Sequence, residues 1–130
     1  MVLEKSIFDE KNLESYDFMF SNHFMHHLSA NALSGFLKIV HNKSRINFLM
    51  NDLAREPFSY FAYRIFAALF LHNSFAAYDG AISILRGFTT SDLSKAIGNA
   101  GLEESMLIKK AMIGRIFLTR KVKTQSAETR

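Results

Sequence analysis

Between Tyr16 and Met50 the chain places two short apolar runs on either side of one helix-patterned stretch, and that arrangement leaves few folds open. The first run, Tyr16 to Ser21, is continuous rather than alternating and is bounded by polar residues, as in a strand buried on both faces. From Ser29, which can act as an N-cap, Leu33, Phe36, Leu37 and Val40 recur at helical spacing until the polar stretch His41-Asn42-Lys43-Ser44. The second run, Arg45 to Met50, is again a buried-strand candidate, closed by Asn51, Asp52 and Leu53. A strand, a helix and a strand of these lengths form a βαβ unit, whose strands are parallel and whose crossover is right-handed.

Downstream, Glu56-Pro57 opens a helix with proline at a permitted first position, and Phe58, Phe61, Ile65 and Leu69 give it an apolar stripe to about Leu71. Asn73 to Gly87 reads mostly as a long loop, with Asp79-Gly80 as its turn signal and Ala81 to Leu85 as an apolar stretch inside it. Thr89 or Thr90 can cap a further helix through Leu93, Ala96 and Ile97, and Ala100-Gly101-Leu102 is a glycine stop. Glu104 to Lys110 and Ile113 to Thr119 read as two strands in a tight antiparallel pair. Two strands buried on both faces need neighbours and covering helices that this order does not supply, so the reading implies that strands are missing upstream.

A chain of 130 residues holds one domain. The reading divides it into a domain over 1–121 and a disordered basic tail over 122–130. Without cysteine there are no disulfides or thiolate metal sites, and a reducing cytoplasm is the compatible compartment. The start, Met1 to Glu10, mixes Glu4, Lys5, Asp9 and Glu10 and does not read as a signal peptide. The longest apolar run, Ile65 to Leu71, falls far short of the ~20 residues that a spanning helix needs. The net charge of +4 gathers in Lys109, Lys110, Arg115, Arg120, Lys121, Lys123 and Arg130, while most aromatics fall in apolar segments, so neither nucleic acid nor membrane is the expected partner.

Tyr16-Asp17-Phe18, Ser21-Asn22-His23 and His26-His27-Leu28 together resemble the fourth strand and following turn of class I, Rossmann-like S-adenosylmethionine-dependent methyltransferases. Asn51-Asp52-Leu53-Ala54-Arg55 is similar to the end of their fifth strand in a bacterial small-molecule branch. Asp79-Gly80, Ser83, Arg86, Phe88-Thr89, Asp92-Leu93 and Ala100-Gly101 resemble that branch's loop and the helix after it. The resemblance covers roughly Ile7 to Lys121. It implies an α/β fold that is partial: the last two parallel strands of the sheet, a C-terminal antiparallel strand pair whose last strand inserts, and flanking helices. The family's cofactor loop has no counterpart here, since the six glycines form no G-x-G cluster.

The resemblance puts Asn22 and His27 at the carboxyl edge of the sheet, where a substrate or S-adenosylmethionine would lie, and Asp52, Arg55 and Arg86 around a small-molecule acceptor. Helix capping, packing or solvation explain the same residues. His23, His26 and His27 have spacings that can bring imidazoles together, but no further metal ligand with a fixed second shell is identifiable, and no metal is expected. Phe58, Phe61, Phe66 and Phe70 form a core stripe, line a pocket for an apolar or aromatic acceptor, or remain uncovered and drive association. The expected function is therefore the acceptor-binding half of a small-molecule methyltransferase, inactive alone and completed by another polypeptide. The alternative is a non-enzymatic module that binds itself or a partner.

Overall fold

The computed structural model describes Lys11 and residues 13–72, 74–111 and 114–122. Ile113 and the expected basic tail from 123 onward lie outside the described residues, as does the stretch 1–10. The elements are β1 (Tyr16–Asn22), α1 (Ala30–Lys43), β2 (Ser44–Leu53), α2 (Pro57–Phe70), α3 (Phe75–Leu85), α4 (Thr90–Ala100), β3 (Met106–Ala111) and β4 (Arg115–Arg120). A single 3-10 turn, Met25–His27, joins β1 to α1.

β1 and β2 pair in parallel with α1 as their crossover, with Phe20 opposite Leu49 and Asn22 opposite Asn51. β4 lies antiparallel between β2 and β3, so the sheet order is β1-β2-β4-β3. The inserted last strand expected from the sequence is therefore present.

Local chemistry accounts for most boundaries. The Ser29 hydroxyl accepts the Ala32 N–H at 3.3 Å and starts α1. Thr89 and Asp92 form a reciprocal capping box on α4, and Gly101 ends that helix in the left-handed region at φ 69°. α1 ends in the polar stretch His41-Asn42-Lys43-Ser44, as expected, with Ser44 as its C-cap, and its last turn places His41 and Lys43 where the helix dipole favours cations.

Three expectations are corrected. β2 continues past Met50, because Asn51, Asp52 and Leu53 pair with Phe117, Ile116 and Arg115 of β4, partners about 65 residues away. The segment expected as a long loop is α3, begun where the Ser74 hydroxyl accepts the Ala76 N–H at 3.1 Å. Its Asp79-Gly80 lies inside that helix. Gly80 serves a close helix contact, since a Cβ there would fall inside the Tyr63 ring, whose hydroxyl donates to the Ala76 carbonyl at 2.6 Å.

The third correction concerns cover. One sheet face is closed by α1 and α4, with Leu33, Phe36, Leu37, Val40, Leu93 and Ile97 buried against Phe48, Met50, Met106, Ile116 and Leu118. On the opposite face Phe18 and Phe20 are 67% and 68% exposed, beside exposed Leu49. β1 and β2 carry the composition of strands buried on both sides, yet α2 and α3 pack on each other and leave that face open. Among the described residues no helix is long and apolar enough to cross a membrane.

Candidate functional site

The carboxyl ends of β1 and β2 meet a turn in which each residue has a distinct task. His23 takes a left-handed conformation (φ 54°), uncommon for a non-glycine residue, and its N–H donates to the Asn51 carbonyl at 3.0 Å. The chain leaves β1 there, so that Met25 enters the core and His26 arrives over β2. The His26 Nδ1 lies 2.7 Å from Asp52 Oδ1, and the His26 backbone N–H donates to Oδ2 at 3.1 Å. The Leu53 N–H adds a third contact to Oδ1 at 2.8 Å. With side chains 3% and 0% exposed, this pair locks the turn to the end of β2. His27 stays exposed, its ring 4.0 Å from that of His26.

His23 also meets Arg115, whose Nη1 contacts the His23 Nε2. Burial, and then the Arg115 guanidinium, hold the His23 imidazole below its ordinary value of 6.5. A histidine whose folded pKa is lowered binds protons more readily unfolded. Its contribution to stability is thus complete above 6.5 and is lost as pH falls through the lower folded value. Urea midpoints followed from pH 7.5 to 5 should fall less steeply in His23→Asn, a substitution that tolerates the left-handed backbone. Identical slopes would assign the pH dependence elsewhere.

Two cavities adjoin this edge. The larger, about 600 Å³, lies between α2 and the ends of β2 and β4 and is lined by Leu53, Phe58, Ala62, Tyr63, Phe66, Ile84 and Arg115. All four of the phenylalanine set are exposed; Phe58 and Phe66, at 81% and 48%, line the open side of this cavity, and Phe61 and Phe70 line neither. The second, about 350 Å³, brings together Arg55 and Arg86 with Asp92, Lys95 and Phe88. There Arg55 Nη2 donates to Asp92 Oδ2 at 2.7 Å, and the same carboxylate accepts the Thr89 N–H. Hydrogen bonds from Thr89, and then the Arg55 charge, hold the Asp92 carboxyl below its ordinary range.

The five candidates from sequence therefore fall in three places. Asn22 ends β1, with its Oδ1 accepting from Asn51 Nδ2 at 2.8 Å; His27 lies in the adjoining turn. Asp52 sits inside β2 and holds His26. Arg55 and Arg86 share the smaller cavity. Sequence reasoning singled out His26 and Asp52 separately but did not pair them, and it took Arg115 only as part of a charge excess. No sequence signal joins His23 to Arg115 across 92 positions. Among the described residues no group of three or more His, Asp and Glu side chains could hold a metal ion.

One wall of this edge suits S-adenosylmethionine. Asn51 Oδ1 is buried without a hydrogen-bond partner, next to Asn22, which leaves a free acceptor for a hydroxyl or amino donor. That fits one wall of a nucleoside site. The loop that would hold the rest of the ligand is not offered by this sequence, which has no G-x-G. The residues present fit the cofactor in part.

No protein-family model matches the chain, and no curated protein matches it by sequence. Solved structures do match by fold. A candidate O-methyltransferase from Nostoc punctiforme superposes with TM-score 0.58 at 12% identity over 91% of this chain and 35% of its own. An O-methyltransferase family protein from Burkholderia thailandensis gives 0.56 at 14% identity over 92% and 34%. The methyltransferase domain of a bacterial CtHen1 gives 0.52 at 14% identity over 92% and 60%. The chain spans about a third of the length of the first two. Its four-stranded mixed sheet and flanking helices are part of a methyltransferase fold.

Proposed function

We propose that the chain is the acceptor-binding part of an S-adenosylmethionine-dependent methyltransferase acting on a small molecule, and that it works together with a polypeptide segment carrying the cofactor loop. The observation that carries this reading is the 600 Å³ apolar cavity at the carboxyl end of β2 and the amino end of the antiparallel β4, beside the edge of an α/β sheet where ligands collect. In this reading Asn22 and His27 face the cofactor from the end of β1. Asp52 acts through His26, holding the turn that positions them, and Arg55 and Arg86 border the acceptor approach from the second cavity. The chemistry asked of the chain is alignment: methyl transfer needs a nucleophile held in line with the sulfonium methyl, and a rigid cavity supplies that. The uncovered face around Phe18 and Phe20 is where the complementing segment would pack. It would serve equally a second copy of the chain, which is the non-enzymatic reading.

Calorimetric titration with S-adenosylmethionine separates these. The chain alone is expected to give no saturable binding, and the chain co-expressed with a segment that carries a methyltransferase cofactor loop is expected to bind at micromolar concentration. Micromolar binding by the chain alone would overturn the division of labour. Absence of binding in both preparations would remove the methyltransferase reading and leave the interaction module.

A further inference from the structure

Arg115 differs from several other cations among the described residues in what holds it. Arg45, Arg55 and Lys110 each have a carboxylate within 2.9 Å, on Asp17, Asp92 and Glu56 respectively. Arg120 is held by the Ser44 hydroxyl and carbonyl and by the His41 carbonyl. Arg115 is half-buried, and among the described residues no carboxylate lies within ion-pair distance of it; its side-chain partner is His23. An imidazole that accepts from a guanidinium is neutral and leaves the cation's charge uncompensated. A half-desolvated charge without a counterion is unfavourable unless something else supplies the anion.

The same side chain borders the 600 Å³ cavity, whose wall is otherwise largely apolar, with Leu53, Phe58, Ala62, Tyr63, Phe66 and Ile84, and also includes Ser59 and Gly114. A single cation at one end of an apolar space specifies a ligand with two parts. We infer that this cavity takes an amphipathic organic acid, its carboxylate on Arg115 and its aromatic or alkyl body against Phe58, Ala62 and Phe66. The planar guanidinium suits a carboxylate, because one N–H can stay on His23 while others point to the anion. The position of Arg115 is firm, since it opens β4 and pairs across the sheet with both Leu53 and Ala111. The inference deepens the acceptor-site reading and rests on it for the role of the ligand, but the binding itself requires no methyl transfer.

The test uses the purified full chain and two probes of matched shape, 2-naphthoate and the neutral 2-naphthalenemethanol, titrated by fluorescence. Wild type is expected to bind the acid at least tenfold more tightly than the alcohol. Arg115→Gln should weaken the acid at least tenfold and change the alcohol less than twofold, whereas Phe66→Ala should weaken both. Equal affinity of wild type for the two probes would overturn the inference without any variant, so a misfolded Arg115→Gln cannot shield it. Loss of both probes to the same degree in a folded Arg115→Gln would also overturn it. Selective acid binding in a chain that, with a cofactor-loop segment supplied, gives no S-adenosylmethionine binding would sustain the anion site while ending the methyltransferase reading.

Discussion

Asp52→Ala should destabilise the domain by about 3 kcal/mol or more, since it removes the shared partner of three buried hydrogen bonds and each buried polar group left unpaired costs about 1–3 kcal/mol. The Asp52 carboxylate is wholly buried and has three contacts: the His26 imidazole, the His26 backbone N–H and the Leu53 N–H. Alanine leaves all of them without an acceptor in a space that water does not enter, and an unmade buried hydrogen bond costs more than a made one contributes. The damage should extend to function, because His26 belongs to the turn that carries Asn22, His23 and His27. Urea unfolding measures the first effect, and the 2-naphthoate affinity of the folded fraction measures the second. A loss below about 1 kcal/mol would show that the pair is not the clamp that joins this turn to β2.

Replacing Phe18 and Phe20 together by lysine is expected to leave the stability of the isolated chain nearly unchanged and to abolish its association. Both rings are about two-thirds exposed on β1, so the fold loses little by losing them. Burying a phenylalanine side chain fully contributes roughly 1.5–3 kcal/mol, so a partner covering both would lose on the order of a hundredfold or more in affinity. Sedimentation equilibrium of wild type and variant at tens of micromolar reads this directly. Wild type should form an oligomer and the variant a monomer. If both associate equally, the driving surface lies elsewhere, and the exposed Phe58, Phe61, Leu69 and Phe70 of α2 become the surface to change next.

The two predictions depend on different kinds of information. Exposure of Phe18 and Phe20 contradicts what their sequence suggests, since the run from Tyr16 to Ser21 reads as a strand covered on both sides. The composition of a strand records the environment it is suited to, and only coordinates show whether this chain provides it. That mismatch agrees with the chain spanning about a third of two of the methyltransferase-fold structures it matches.

Elements set by near neighbours were legible from the residues alone. Ser29 before the Leu33–Val40 stripe, Pro57 at the start of α2, Thr89 with Asp92, and Gly101 after Ala100 each act within four positions, and each marks the element it was expected to mark. The βαβ unit and the antiparallel closing pair follow from the same local patterns, read against the rules of strand connection. α3 was misjudged because Asp79-Gly80 is turn chemistry locally, while Gly80 is required by the Tyr63 ring on another helix. The end of β2 was misjudged because Asn51, Asp52 and Leu53 owe their strand conformation to β4.

The candidate site divides the same way. Asn22, His27, Asp52, Arg55 and Arg86 stand out in the sequence as polar residues near the ends of apolar segments, and the structure distributes them over three places. That Asp52 turns inward to His26 and Arg55 across to Asp92 was decided by the tertiary structure. So was the position of Arg115, which among the described residues has no carboxylate partner and borders a largely apolar cavity. A charge finds its partner through space, over separations of 26, 37 and 92 positions here, and no local pattern in a chain encodes a contact of that range.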